Sequence, residues 1–253
     1  MTESLTLITP TGDRPLAFAL CQNWIKKQTL QPEQWIVIDD GKIPTKSFTS
    51  MEYVRREPQP NDPNHTLIEN LKVAIPLIKG SKIIIIEDDD YYAPEYIEEM
   101  AHRLNQREVV GIGKSKYYHL PSGGYFRTKN MMHASLAQTA FKSSFLLEFG
   151  GLLKKIYVYL DINIWKKVKE RGGGFLFVDS DMKPLYLGMK GLPGRAGIGI
   201  GHDPNHRIYR SHPCDKSRKI LKNWIPENDD YNIYTDIISG KLTERNYQSC
   251  LKT

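Results

Sequence analysis

Ile83–Ile86 is an unbroken run of four isoleucines, and it limits the fold more than any other stretch of the chain. β-Branched side chains favour a pleated strand, and a strand with no polar alternation has to be covered on both faces. That is the pattern of a parallel sheet with helices on either side. Leu5–Ile8, Trp35–Ile38 and Val109–Ile112 read as further apolar strands. Between the first two, Leu16, Leu20 and Trp24 recur at i, i+4 and i+8, with Asp13 placed as N-cap and Pro15 in the first turn. Leu67, Leu71, Ala74 and Ile78 mark a helix that Pro76 should kink and Gly80 should close, and Pro94 opens another that carries Ile97, Met100, Ala101 and Leu104. Lys42–Pro63 is polar and proline-rich and reads mainly as loop. This alternation predicts an α/β fold, a doubly wound, mostly parallel sheet with right-handed crossovers.

The second half is less regular. Phe141–Gly151 reads as a strand running into a loop, Asp161–Arg171 as a helix with Ile164, Trp165 and Val168 inward, and Phe175–Val178 as a strand. Gly188–Gly201 contains six glycines and reads as a mobile stretch rather than a packed element. The whole chain has 253 residues with 35 Lys+Arg against 29 Asp+Glu, a net charge of +6. No apolar stretch approaches the roughly 20 residues of a membrane-spanning helix. The N-terminus runs directly into a strand pattern, without the basic and apolar regions of a signal peptide. Cys21, Cys214 and Cys250 are too few and too scattered for a disulfide framework or a zinc cage. Together these features point to a cytoplasmic protein.

Glu87-Asp88-Asp89-Asp90 follows the isoleucine run directly. In an open α/β sheet, ligands bind beyond the carboxyl ends of the strands. Four carboxylates bunched there repel one another unless a counter-charge is present. Hard carboxylate oxygens suit Mg²⁺ or Mn²⁺, which can also grip a diphosphate. A solvated acidic turn ahead of a helix is the alternative, because acidic side chains favour a helix N-terminus.

Ile83–Glu99 (IIIIEDDDYYAPEYIEE) resembles the acidic, DXD-like signature of nucleotide-sugar glycosyltransferases of the GT-A fold. It is most similar to the "EDD" variant of enzymes that transfer N-acetylglucosamine. Leu5–Arg14 (LTLITPTGDR) with Gln34–Gly41 (QWIVIDDG) is similar to the opening of family 2 glycosyltransferases. The resemblance runs from Leu5 to about Arg171. It implies a GT-A, Rossmann-like domain over residues 1–202, with a donor-binding half to about residue 113 and an acceptor half beyond it. Residues 203–253 would form a basic extension packed on the same domain. By position, Asp89 would be the direct metal ligand, with Glu87 and Asp88 facing the donor's sugar and ribose. Asp90 leaves the register open by one residue. Thr9 and Asp40 would flank the nucleobase, with Asp39 the neighbouring alternative. Arg14 would stack on the base or meet the diphosphate. Taken alone, Asp39-Asp40-Gly41 reads rather as a strand-terminating turn, and its order with the acidic cluster favours the nucleobase reading.

Attack of an acceptor hydroxyl on an anomeric carbon needs a carboxylate to take its proton. Members of this family often carry an acidic pair at a helix start after a Gly-Gly turn. Here Gly150-Gly151 is followed by Leu160-Asp161, so Leu160 stands at the first acidic position and Asp161 remains as base, or as a helix cap. With Asp161 as base, the reaction is a single inverting displacement; with Asp161 only a cap, a retaining mechanism stays open. The glycine-rich run lacks the spacing of a dinucleotide fingerprint. The resemblance implies a lid, with Lys190 and Arg195 neutralising the leaving diphosphate. His202 at its end, ahead of His206 and His212, would be a further metal ligand.

His202–Lys222 holds six Lys/Arg against two Asp. Arg207, Arg210, Lys216, Arg218 and Lys219, with Tyr209 and Trp224 nearby, suit a polyanionic acceptor. A hydroxymethylated base flipped out of DNA is one concrete case and a glycan the other; a solvated basic face is the plain alternative. The expected activity is metal-dependent transfer of a hexosyl or pentosyl group from a nucleotide-diphosphate donor, with UDP favoured. Two competing classes remain. A nucleotidyl- or phosphotransferase accounts for Glu87–Asp90 but gives Thr9, Asp40 and Asp161 no role. A binding module that kept the fold without chemistry is consistent with Leu160.

Overall fold

A computed structural model describes residues 4–45, 50–155, 159–195, 197, 199–203, 205–210 and 214–247. Strand β1 (Leu5–Thr11) is buried along its whole length and leads into α1 (Pro15–Lys26), then β2 (Gln34–Asp39) and β3 (Glu52–Arg55). Helix α2 (Leu67–Ala74) precedes β4 (Lys82–Ile85) and the short β5 (Tyr91–Tyr92). Helix α3 (Tyr96–Leu104) is followed by β6 (Val109–Gly113), β7 (Lys116–His119), β8 (Gly124–Arg127) and β9 (Thr139–Lys142). Then come α4 (Leu146–Leu153), α5 (Leu160–Arg171), β10 (Gly174–Val178) and β11 (Tyr186–Lys190). The C-terminal part carries α6 (Arg207–Arg210), α7 (Lys219–Trp224) and α8 (Asn228–Ile238).

Seven strands form the central sheet in the order β10-β6-β9-β4-β1-β2-β3. All pair in parallel except β9, which runs antiparallel to both β4 and β6. The isoleucines divide between the two faces as strand geometry requires. Ile84 and Ile86 pack with Leu16, Leu20 and Trp24 of α1 and Ile97, Met100 and Leu104 of α3. Ile83 and Ile85 pack on the opposite face with Leu71 of α2, Phe149 of α4 and Trp165 of α5. The α/β architecture with a mostly parallel, helix-flanked sheet is therefore the observed one.

Register brings the strand ends together. Ile8 pairs with Ile85 and Thr11 with Asp39, and the Ile86 N–H donates to the Ile8 carbonyl at 2.9 Å. The acidic run therefore leaves the sheet beside Pro10–Gly12. A second, four-stranded sheet (β5-β11-β7-β8) stands at this same edge.

Several local expectations are corrected. Lys42–Pro63 contains the edge strand β3, half-buried and flanked by charge, so its apolar signal is diluted. The stretch after Phe141 forms helix α4 rather than a loop, because Phe145, Phe149 and Leu153 lie on one face and are buried. Helix α2 ends at Ala74 in a short 3₁₀ turn over Ile75–Leu77 containing Pro76, and the Gly80 N–H bonds Thr6 Oγ1 rather than closing the helix. Asp13 does not cap α1. Its Oδ1 accepts the Lys42 N–H at 2.7 Å, and Arg14 occupies the N-cap position. The front of the glycine-rich run is the buried strand β11.

Beyond residue 214 the chain packs on the α1 face. Trp24 lies between Tyr91 (ring centroids 5.1 Å apart, edge-on) and Tyr234 of α8 (5.8 Å, stacked), and Lys27 pairs with Asp230 at 2.5 Å.

Candidate active site

A cavity of about 460 Å³ opens over the carboxyl ends of β1 and β4. Its walls include Thr11, Arg14, Glu87, Asp88 and Asp89, together with Lys190, Arg195, His202, His133 and Asp161. The acidic run is thus enclosed, and its four carboxylates have different partners. Asp88 Oδ2 accepts the Thr11 hydroxyl at 2.6 Å and Oδ1 accepts Arg14 Nη1 at 2.9 Å. Asp90 is turned inward and accepts Tyr186 Oη at 2.5 Å, the Met189 N–H at 2.9 Å and Lys190 Nζ at 3.1 Å. Asp89 Oδ2 lies 3.2 Å from Arg14 Nη1 and 3.9 Å from His202 Nε2, while its Oδ1 is buried with no hydrogen-bond partner.

These environments separate the protonation states. Burial, reinforced by Asp90 and Asp89, pushes Glu87 up to about 8. Burial raises Asp90 to about 6 even though Lys190 pulls it down. Burial also works against the Asp89 charge, but Arg14 and Lys190 hold it below the usual carboxylate range. Burial, with Lys190 nearby, lowers His202 to about 4, so its imidazole is neutral at neutral pH. Lys190 is raised above its usual range because Asp90, Asp89 and Glu87 outweigh its burial.

The donor set fits a hard divalent cation. Glu87, Asp89 and Asp90 each bring a carboxylate oxygen within 4.8 Å of the others, and the unpartnered Asp89 Oδ1 is the atom that lacks a counterpart. A buried acceptor left unmatched costs about 1–3 kcal/mol, which a cation would relieve. Asp90 already accepts three bonds, and the neutral imidazole of His202 stands 3.9 Å from Asp89, so Asp89, Glu87 and His202 could hold Mn²⁺ or Mg²⁺.

At the nucleobase end the arrangement differs from expectation. Thr9 is fully buried and accepts Trp35 Nε1 at 2.9 Å; Thr11, two residues further along the same face, is the residue that reaches the cavity. Asp39 shapes the turn, accepting from Gly41 N, Thr45 N and Tyr53 Oη. Asp40 does not line the cavity, and both its oxygens are taken, by Arg195 Nη2 at 2.7 Å and Arg56 Nη2 at 2.8 Å. Its pKa is lowered, because the bonds from Arg195, Thr66 and Arg56 exceed the cost of burial. Arg195 also donates its N–H to the Asp13 carbonyl and accepts Arg14 Nε on its own carbonyl. Residues 191–195 therefore lie across the β1–α1 turn, and Gly12 permits the close approach: a Cβ there would sit 2.3 Å from Asp40 Oδ1. Arg14 bridges Asp88 and Asp89.

Asp161 lies in the first turn of α5 with Tyr159 at the N-cap position, and its Oδ1 accepts the adjacent Ile162 N–H at 2.9 Å. Burial raises its pKa. Leu160 is buried with Ile164 and Trp165, an apolar anchor where an acid was expected.

The basic run stays outside. Arg207, Lys216, Arg218 and Lys219 do not line the cavity, and Arg218 bonds Tyr118 Oη. Tyr209 and Trp224 are 8% and 1% exposed, packed on Phe126 and on Tyr118 with Tyr125, so neither ring offers a face to an unstacked base. The backbone of Arg210 belongs to α6, and His212 lies outside the described residues. His206 accepts the Ile208 N–H and is not on the cavity wall. Arg56, Thr66 and His133 carried no local sequence motif; only the tertiary fold brings Thr66 and His133 to the cavity and Arg56 to Asp40.

No family model matches the sequence, and neither does any curated protein. Among solved structures, Staphylococcus aureus TarS is similar at 16% identity with a TM-score of 0.49, over 74% of this chain and 36% of TarS. This chain therefore spans about a third of the length of that protein. A shorter form, TarS 1–349 in complex with UDP-GlcNAc, is similar at 13% identity and a TM-score of 0.48, over 99% of this chain and 76% of the other. Glucosyl-3-phosphoglycerate synthase from Mycobacterium tuberculosis, in complex with Mn²⁺, UDP and glucosyl-3-phosphoglycerate, is similar at 12% identity and a TM-score of 0.44, over 69% of each chain. Identities this low leave substrate and chemistry to be argued from this chain's own residues.

Proposed function

We propose that the chain is a metal-dependent glycosyltransferase that moves a sugar from a nucleotide-diphosphate donor, UDP-sugar favoured, to an acceptor hydroxyl with inversion. The observation that carries this reading is the unpartnered, buried Asp89 Oδ1 within an enclosed acidic strand end, next to a neutral His202. Asp89, Glu87 and His202 would hold Mn²⁺ or Mg²⁺, which supplies neutralisation of the leaving diphosphate. Lys190 stands beside Asp90 on the same wall and adds a fixed positive charge there. Arg14 and Arg195 are cations within reach of the diphosphate once they leave Asp89 and Asp40. Glu87 and Asp88 sit on the donor side, and Asp39 and Asp40 support the nucleobase end through the turn and Arg195.

Asp161 faces the same cavity and takes the proton of the attacking hydroxyl. The acceptor oxygen bonds the anomeric carbon while the bond to the diphosphate oxygen breaks, and the nucleoside diphosphate departs. The donor half then spans about residues 1–113 and the acceptor half 114–202, with 203–253 an extension. A glycan-like acceptor suits the site better than DNA, because Arg207, Arg210, Lys216, Arg218 and Lys219 belong to the extension and the rings beside them are buried. No described helix is long and apolar enough to cross a membrane.

The test is thermal shift with UDP, with and without Mn²⁺, followed by product analysis with UDP-sugars. Stabilisation that needs both partners, and release of UDP, support the reading. Release of UMP would favour a nucleotidyl- or phosphotransferase, and metal-dependent binding without turnover a non-catalytic module.

A further inference from the structure

His133 lines the same cavity as the acidic run and Asp161, in a loop where neither the acidic motif nor the base motif falls. Its neighbour Asn130 fixes its chemistry. Asn130 Oδ1 accepts the Met132 N–H at 2.8 Å, so the other end of the amide must be the NH₂ group. That group donates to the His133 carbonyl at 3.0 Å, a partner able only to accept. Its remaining hydrogen points at His133 Nδ1, 3.2 Å away. Nδ1 is therefore the accepting nitrogen, and in the neutral ring the proton sits on Nε2. Among the described residues nothing bonds Nε2. Asp161 lines the same cavity, and no hydrogen bond or ion pair joins the two side chains among the described residues.

We propose that His133 is the positioning residue for the acceptor: its Nε2–H donates to the acceptor hydroxyl oxygen while that hydroxyl donates to Asp161. One lone pair of the oxygen is then held by His133 and the other is free to attack. The proton goes to Asp161, the new bond forms at the anomeric carbon, and the diphosphate leaves with the electrons of the broken bond. A neutral Nε2–H tautomer has no lone pair on that nitrogen, which makes His133 a donor and leaves the base role to Asp161. This inference rests on the glycosyltransferase reading above and adds to it the residue that orients the nucleophile.

Two measurements test it. In a long-range ¹H–¹⁵N spectrum at pH 7.5, His133 should show a protonated Nε2 and an unprotonated Nδ1; a protonated Nδ1 overturns the proposal. UDP release is then followed with UDP-glucose and UDP-N-acetylglucosamine as donors and water as acceptor. His133→Phe should lower the rate at least about tenfold, the scale of a lost hydrogen bond to a reacting oxygen. His133→Gln, whose amide N–H can reach the same oxygen, should recover most of that loss. The affinity for UDP with Mn²⁺ should match wild type in both variants. An active wild type whose rate is indifferent to His133→Phe, or a Gln variant no better than the Phe variant while both are folded, sinks the inference and leaves the glycosyltransferase reading standing. A wild type that releases no UDP from either donor removes both.

Discussion

Asp89 has one oxygen against Arg14 and the other without a partner, and that asymmetry makes it the residue on which cation binding should depend. Asp89→Asn should therefore abolish the Mn²⁺-dependent part of UDP stabilisation, a loss of at least about tenfold in affinity by thermal shift or calorimetry. Retention of that part would shift the ligand role to Glu87. Asp161→Asn should keep UDP and Mn²⁺ affinity within about twofold while turnover falls about 10²–10⁴-fold. Because burial raises the Asp161 pKa and a base acts only when ionised, the acid limb of the pH–rate profile should fall at higher pH than an ordinary Asp would give. A limb in the ordinary range would argue against Asp161 as base. The acidic residues were legible in the sequence because four consecutive charges at a strand tip are unusual. Their partners were not. Arg14 to Asp88, Arg195 to Asp40 and Arg56 to Asp40 are pairs set by the tertiary fold, and nothing in local spacing says which charge an arginine meets. Thr9, named from the strand motif, stays buried against Trp35, and Thr11 at the strand end is the residue that reaches the cavity.

Elements that bury a continuous apolar stripe could be read directly, and those with a diluted stripe could not. Helix α4 is the clearest case, since Gly150 and Gly151 argue for a turn while Phe145, Phe149 and Leu153 argue for a helix. Each glycine costs about 0.5–1 kcal/mol in a helix interior, less than burial of the two aromatic rings returns. A Cβ at Gly151 would meet nothing within 4 Å, so Gly151→Ala should stabilise the protein by about 0.5–1 kcal/mol in urea unfolding. A destabilised variant would mean that α4 does not hold this form in solution. Phe149→Ala should cost about 3–5 kcal/mol by the same measurement. The second sheet was missed for a related reason: β7 and β8 mix tyrosine and phenylalanine with lysine, arginine and glycine, and β11 lies in a run that reads as flexible.

For the whole molecule, the α1 face is completed by the C-terminal helices. Trp24, 1% exposed, is covered by Tyr234 of α8, and the buried cluster that includes it extends to Leu221, Trp224 and Leu242. Removing residues 226–253 should uncover Trp24 and Tyr91, red-shift tryptophan emission and lower the melting temperature. An unchanged melting temperature would make this segment an appendage. The basic run of His202–Lys222 with Tyr209 and Trp224 suggested a polyanion-binding tail, but charge carries no information about where rings point. Here Tyr209, Trp224 and Tyr234 of that tail are buried.

The arginines that occupy Asp89 and Asp40 have a thermodynamic consequence. A cation arriving alone at Asp89 Oδ1 meets the like charge of the Arg14 guanidinium on Oδ2, and a diphosphate arriving alone brings further negative charge to the acidic strand end. When both arrive, the diphosphate offsets the positive charge of cation and guanidinium together. Each ligand should therefore tighten the other by an equal factor, as linkage requires, and the pair should bind far better than either species by itself.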